Sequence, residues 1–188
     1  MKPYIIIIAG IPASGKTMYA RHIANELYIP SVEKDNIKEK LYEIIEFDQS
    51  KREISKLYGM ASYSMLFHFA ECLMKAGVSF VLESNFTPVS ADFLLPLVQK
   101  YGYRALTVLF DADMQVLHKR VRERDITDER HPGIRFSDNL FNDFNSFNNA
   151  FLFCRDFCVG EKITINTTDF SKVDYKCIDS DVRKFIES

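Results

Sequence analysis

The chain has 188 residues, ample for one compact core and short for two domains. Apolar residues make up 47% and charged residues 27%, ordinary for a soluble globular protein, and the absence of low-complexity stretches and repeats argues against solenoids and disordered tails. The formal net charge of −2 removes the bulk electrostatic case for a nucleic-acid or membrane-surface binder and leaves room only for a local basic groove.

The first apolar run, Tyr4 to Ala9, is too short for a signal-peptide core or a membrane span and enters a glycine loop at once. It reads as a strand buried on both faces of a parallel sheet, and the chain as cytoplasmic. From Gly15 to Tyr28, Ala20, Ile23, Ala24 and Leu27 recur with helical spacing. A short strand near 30–33, a helix from about Asn36 to Ile45 and a longer helix over 50–76, stopped by Gly77, come next. Val78 to Leu82 is a strand ending in Glu83, and residues 91–101 form a helix stopped by Gly102. Arg104 to Phe110 is a strand ending in Asp111, and a helix runs from about Met114 to Arg124. Residues 125–135, with HPG, read as a loop, and 136–157 as a phenylalanine-rich helical stretch. Ile163 to Asn166 is a last strand and 172–187 a last helix. Strands alternating with helices predict a doubly wound α/β fold with a mainly parallel sheet.

Cys72, Cys154, Cys158 and Cys177 show no metal-ligand spacing and read as buried thiols. Phe144, Phe147 and Phe151 recur at helical spacing, which favours core packing over base stacking.

Residues 10–17 read GIPASGKT and match G-x-x-x-x-G-K-[ST] at every fixed position, between a buried strand and an amphipathic helix. Gly10 and Gly15 permit backbone conformations closed to larger residues. Gly10, Ile11, Pro12, Ala13, Ser14 and Gly15 can then turn N–H groups toward phosphate oxygens, aided by the positive end of the following helix. Lys16 reaches the β- and γ-phosphates, and the Thr17 hydroxyl is a hard oxygen ligand suited to Mg²⁺.

This loop within the first twenty residues, the Asp in VEKDNIKEKL, the acid closing FVLES and the arginines in HKRVRERD resemble the small P-loop kinases. That group includes AAA-type ATP-binding and zeta-toxin-like kinases and the polynucleotide kinase, chloramphenicol phosphotransferase, gluconate kinase and, more distantly, adenylate kinase relatives. The resemblance implies a P-loop NTPase fold with a five-stranded sheet in the order 2-3-1-4-5, helices on both faces and a small lid near 120–140. It implies one domain over 1–188. It also implies ATP and Mg²⁺, and transfer of the γ-phosphoryl group to a hydroxyl acceptor that the sequence does not name.

On that resemblance Asp35 faces the acceptor hydroxyl as general base, although a helix N-cap explains the same residue. Relatives often carry an Arg shortly after this Asp; here the nearby residue is Lys38. Glu83, or Asp111 on the next strand, serves the Mg²⁺ shell at a strand's carboxyl end. Ser84 and Asn85 could touch the acceptor. Arg120 and Arg124, four apart on one helix face, resemble the lid entrance of adenylate kinase, one lying over adenine and the other meeting phosphate; Arg130 is a third candidate. Thr167 and Thr168, in INTTDF, stand where these kinases touch adenine.

Three rivals remain. A GTPase-type switch lacks the Asn-Lys-x-Asp sequence and an Asp-x-x-Gly switch. A polynucleotide 5′-hydroxyl kinase fits the loop and Asp35 but not the charge balance. A partner-dependent ATPase would ignore acceptors.

Overall fold

The computed structural model describes residues 2–44, 52–127, 134 and 143–188. Its strands are β1 (Tyr4–Gly10), β2 (Ser31–Glu33), β3 (Phe80–Ser84), β4 (Arg104–Asp111) and β5 (Glu161–Asn166). All pair in parallel in one sheet of order β2-β3-β1-β4-β5, the expected order. The helices are α1 (Lys16–Leu27), α2 (Lys34–Ile44), α3 (Arg52–Lys75), α4 (Pro88–Tyr101), α5 (Met114–Asp125), α6 (Phe144–Phe151) and α7 (Tyr175–Glu187).

β1 shows why its run is uniformly apolar. Ile5 and Ile7 pack on the side of Leu66 from α3 and Leu94 from α4. Ile6 and Ile8 pack on the other side, with Ile23 of α1 and Val182 of α7. All four isoleucines are fully buried, each stabilising the fold by about 1.5–3 kcal/mol. A third cluster joins Ile11 at the start of the loop to Leu117 and Val121 of α5 and Phe147 of α6. The phenylalanines of α6 therefore serve packing: Phe147 is fully buried, with Phe144 and Phe151 beside it.

Some expected boundaries move. β3 begins at Phe80 rather than Val78, because the Val78 N–H still closes the end of α3 on the Leu73 carbonyl. Among the described residues of the phenylalanine-rich stretch, which begin at Asp143, the helix runs over Phe144–Phe151 and then tightens into a 3₁₀ turn, Leu152–Asp156. Cys154 sits in that turn and is buried, but Cys72, Cys158 and Cys177 are exposed, so the buried-thiol expectation holds for Cys154 alone. The acceptor is expected to depend on loops around 45–60, 84–96 and 128–140; of these, residues 45–51, and 128–140 apart from Ile134, lie outside the described residues, and with them Arg130 and most of the lid. Among the described residues no helix is long and apolar enough to cross a membrane.

Two contacts hold the elements that frame the sheet. The buried Thr107 hydroxyl donates to the Val159 carbonyl and accepts from the Val159 N–H, both at 2.9 Å, fixing the approach to β5. Thr107→Val keeps the shape and leaves both Val159 groups unsatisfied. Urea unfolding should show a loss of about 2–4 kcal/mol. Glu71 of α3 accepts from Tyr101 Oη at 2.8 Å and Lys100 Nζ at 3.1 Å, joining α3 to α4. The hydrogen bond from Tyr101, then that from Lys100, holds its carboxyl down to about 2 from the usual 4.5. A depressed folded-state pKa stabilises fully above the unfolded value, and the contribution is lost as pH falls through the folded one. Stability should therefore decline between pH 4.5 and 2, and Glu71→Gln should flatten that part of the acid-unfolding curve.

Candidate active site

The loop 10–17 leaves the carboxyl end of β1 and turns into α1. Gly10 has φ +146°, and a Cβ there would lie 2.2 Å from the Phe110 carbonyl oxygen. Gly15 has φ +91°, and a Cβ there would approach the Phe170 ring to 2.9 Å. Ser14 is fully buried, and its Oγ has no hydrogen-bond partner among the described residues. Asp113, Asp143 and Asp174 cap the first turns of α5, α6 and α7. α1 has no side-chain cap and no acidic residue in its first turn. Its first N–H groups lack intrahelical partners. The result is a tight concave backbone with unspent donors at a helix's positive end, the requirement for holding phosphate oxygens.

Lys16 and Thr17 open α1 and face Glu83. The register pairs Ile8 with Glu83, which sets that carboxylate beside the start of the loop. Thr17 Oγ1 donates to Glu83 Oε2 at 3.1 Å, and Lys16 Nζ lies 3.6 Å from Glu83 Oε1. Both charged groups are buried. Burial pushes the Lys16 ammonium down, with the Glu83 and then the Asp35 carboxylate drawing it back up. Burial pushes the Glu83 carboxyl up, with Lys16 opposing. Each charge lowers the cost of burying the other.

Asp111, the rival to Glu83, is engaged elsewhere. Its Oδ1 accepts from Arg155 Nε at 2.9 Å and from the Ala112 N–H at 2.8 Å. Glu33, level with Glu83 on β2, is held by Arg21 through Nε at 2.9 Å and Nη2 at 2.7 Å. Glu83 is thus the strand-end carboxylate in contact with both Lys16 and Thr17.

Arg120 and Arg124 reach the other side of the loop. With Ala13, Lys16, Thr17 and Phe170 they line a cavity of ≈ 400 Å³. Arg120 donates to the Thr167 and Thr168 carbonyls at 2.8 and 2.9 Å, and its guanidinium lies 3.9 Å from the Phe170 ring centre. This makes a flat cationic and aromatic wall. Arg124 lies near enough to Lys16 to depress its titration further. The Thr168 hydroxyl accepts from the Asp113 N–H at 2.9 Å, so this residue anchors the wall rather than lining the cavity.

Asp35 lies in the first turn of α2, which begins at Lys34, so the N-cap reading of Asp35 does not hold. Its Oδ1 meets Lys34 Nζ at 2.6 Å. Both residues line a second cavity of ≈ 280 Å³, with Lys38, Tyr63, Asn85 and Cys154 among its walls. Asp35 and Cys154, in the walls of this second cavity, both act electrostatically on Lys16, which lines the first. Burial pushes the Cys154 thiol up to about 11, which keeps it neutral. Sequence reasoning missed Lys34, Tyr63 and Phe170. Lys34 stands beside Asp35 and Phe170 closes INTTDF, but the pairing of Tyr63 with the end of β3 has no local signal.

The oxygens offered by Thr17 and Glu83 are hard ligands of the kind Mg²⁺ takes, and Lys16 leaves space for an anionic partner rather than a bare cation. Among the described residues there is no cluster of three or more His, Cys, Asp or Glu that would cage a metal without a phosphate ligand. The donor set therefore fits a magnesium ion carried with a nucleotide.

The sheet order, the loop and the strand-end carboxylate define a P-loop nucleotide-binding protein of the kinase type. The chain belongs to the AAA domain family AAA_33, whose profile matches residues 5–136. No curated protein matches it. Among solved structures, a protein of Chloroflexus aurantiacus J-10-fl, provisionally called a kinase, superposes with TM-score 0.81 at 25% identity over 99% of this chain and 97% of its own. The APS kinase of Mycobacterium tuberculosis, in complex with AMPPNP and APS, gives 0.57 at 15% identity over 100% and 99%. The shikimate kinase of Bacteroides thetaiotaomicron gives 0.57 at 16% over 98% and 97%. These last two share the fold.

The Lys16–Glu83 coupling is measurable. Lys16→Met should move the Glu83 titration to higher pH, followed by carboxyl-carbon NMR, because the opposing charge is gone while burial remains. An unmoved Glu83 would separate the two groups.

Proposed function

We propose that the protein is an ATP-dependent kinase acting on a hydroxyl-bearing acceptor. The observation that carries this reading is that Lys16, in a wall of one cavity, feels the charge of Asp35, in a wall of another. One is bounded by the phosphate loop and two arginines, the other by Asp35. A hydrolase needs only the first.

ATP seats its phosphates on the loop 10–17, with its base toward Phe170 and Arg120. Lys16 and Arg124 hold the γ-phosphoryl group and offset its developing charge. Thr17 and Glu83 are the residues that would hold Mg²⁺, which, when bound, neutralises charge on the β- and γ-phosphates. Asp35 orients the acceptor hydroxyl in line and takes its proton. The acceptor oxygen forms a bond to the γ-phosphorus as the bond to the bridging β–γ oxygen breaks, and ADP departs with that electron pair. Lys34, 2.6 Å from Asp35, holds the carboxylate in position for that step. A cytoplasmic setting, where ATP is abundant, fits this chemistry.

Two variants test the roles. Lys16→Ala should abolish ATP turnover while circular dichroism stays native. Asp35→Asn should slow acceptor phosphorylation by about 10²–10⁴-fold and leave ATP affinity within a few-fold. Equal loss of both for Asp35→Asn would make that residue structural.

A further inference from the structure

The second cavity carries a charge pattern that proton transfer at Asp35 does not explain. Lys34, Asp35 and Lys38 all belong to α2, and all three line the cavity. Lys34 and Lys38 are four apart and share one helix face, and Asp35 and Lys38, three apart, are neighbours on the helix surface. The Lys34 ammonium lies 2.6 Å from Asp35 Oδ1 and 5.6 Å from the Tyr63 ring centre. Burial pushes Lys34 down, but the Asp35 carboxylate and then Tyr63 outweigh it, so its titration ends above the usual lysine value and it stays a cation. Lys38 is placed by other contacts: its Nζ donates to Ser55 Oγ at 3.1 Å and lies 5.6 Å from the Tyr42 ring centre. These two partners are uncharged, and an ammonium has three donors, so Lys38 can keep Ser55 and take a ligand as well.

Among the described residues the cavity walls therefore hold two ammonium groups and one carboxylate. The rest of the described wall is neutral: burial pushes the Cys154 thiol up to about 11 and the Tyr63 hydroxyl above its usual value. Glu83 also acts on Lys34, but it stands outside this wall and is engaged by Lys16 and Thr17. A cavity with this balance attracts an anion and disfavours a cation. At ≈ 280 Å³ it lies just under the roughly 300–1,000 Å³ range of drug-sized pockets, so the anion is small. Residues three apart on a helix have Cβ atoms about 5–6 Å apart. One molecule a few bonds long can thus present a hydroxyl to Asp35 and a negative group to Lys38. Lys34, held on Asp35, offsets the repulsion between that carboxylate and the incoming anion.

We infer that the acceptor is a small hydroxyl-bearing anion, a hydroxycarboxylate or a phosphate monoester, whose hydroxyl meets Asp35 and whose negative group rests on Lys38. This rests on the kinase reading for the role of the hydroxyl, but the anion site is testable without it. Lys38 is then a specificity residue: a neutral analogue forgoes the charged contact and binds more weakly.

The test is calorimetric titration of the whole chain, without nucleotide, with three pairs: glycerol 3-phosphate beside glycerol, D-ribose 5-phosphate beside D-ribose, and D-glycerate beside D-glyceramide. Wild type should bind at least one anion tenfold or more tightly than its neutral partner, and the pair that shows the preference separates phosphate from carboxylate. The preference should persist with AMPPNP and Mg²⁺ present, which would displace an anion seated on the phosphate loop. Lys38→Gln should remove most of it, and Lys38→Arg, which keeps the charge, should retain it. As a guard against misfolding of the glutamine variant, carbon NMR of the lysine side chains in wild type should show the Lys38 resonance moved by the preferred anion and not by its neutral partner. No preference in any pair overturns the inference. So do loss of the preference with AMPPNP, a preference that survives Lys38→Gln, and an unmoved Lys38 resonance. ATP consumption by wild type with neutral alcohols is measured separately. If it proceeds while no anion is preferred, the inference fails and the kinase reading survives. If an anion binds through Lys38 but none receives a phosphoryl group, the kinase reading fails and the anion site stands.

Discussion

The site depends on a buried lysine and a buried glutamate that meet beneath a loop. Lys16 and Glu83 belong to separate elements, the first turn of α1 and the carboxyl end of β3. Parallel pairing of β3 with β1 brings them together, with Ile8 level with Glu83. Neither charge is stable alone at that depth: an isolated buried ion costs several kcal/mol and shifts its pKa to escape. Paired at 3.6 Å, and with the Thr17 hydroxyl on the second carboxylate oxygen, each charge offsets part of the cost of burying the other. The arrangement is also poised for change, since a phosphate competing for Lys16 would leave Glu83 with Thr17, and so favour a metal ion there.

The rest of the molecule holds that meeting point in place. Isoleucines on both faces of β1 lock the strand between two helical layers, so the loop leaves from a rigid edge. α5 and α6 close the third cluster over Ile11 and carry Arg120 and Arg124 to the loop's open side. Arg120 trades freedom for order, fixed by two carbonyls and an aromatic face. Arg155 removes Asp111 from competition, so one strand-end carboxylate remains on Lys16 and Thr17.

Much of this was legible in the chain. Glycine spacing, a lysine and a threonine between an apolar strand and an amphipathic helix carry local signals, because backbone strain and helix polarity act over a few residues. The α/β alternation likewise follows from apolar runs and periodicity. The engagement of Asp111 by Arg155 was not legible, since the partner lies 44 residues further on. The start of α2 was misplaced by two residues, which made Asp35 look like a cap. Exposure of Cys72, Cys158 and Cys177 was equally hidden, because burial depends on which helix faces the packing leaves outward. The second cavity is assembled from α2, α3, the turn after β3 and the end of α6, and no single stretch announces it.

The most direct measurement is phosphorus NMR of ATP–Mg²⁺ incubated with the protein and a mixture of hydroxyl acceptors. Transfer predicts that ADP and a new phosphomonoester resonance grow one for one. Growth of inorganic phosphate alone, or intact ATP in the presence of demonstrated nucleotide binding, would contradict the kinase account.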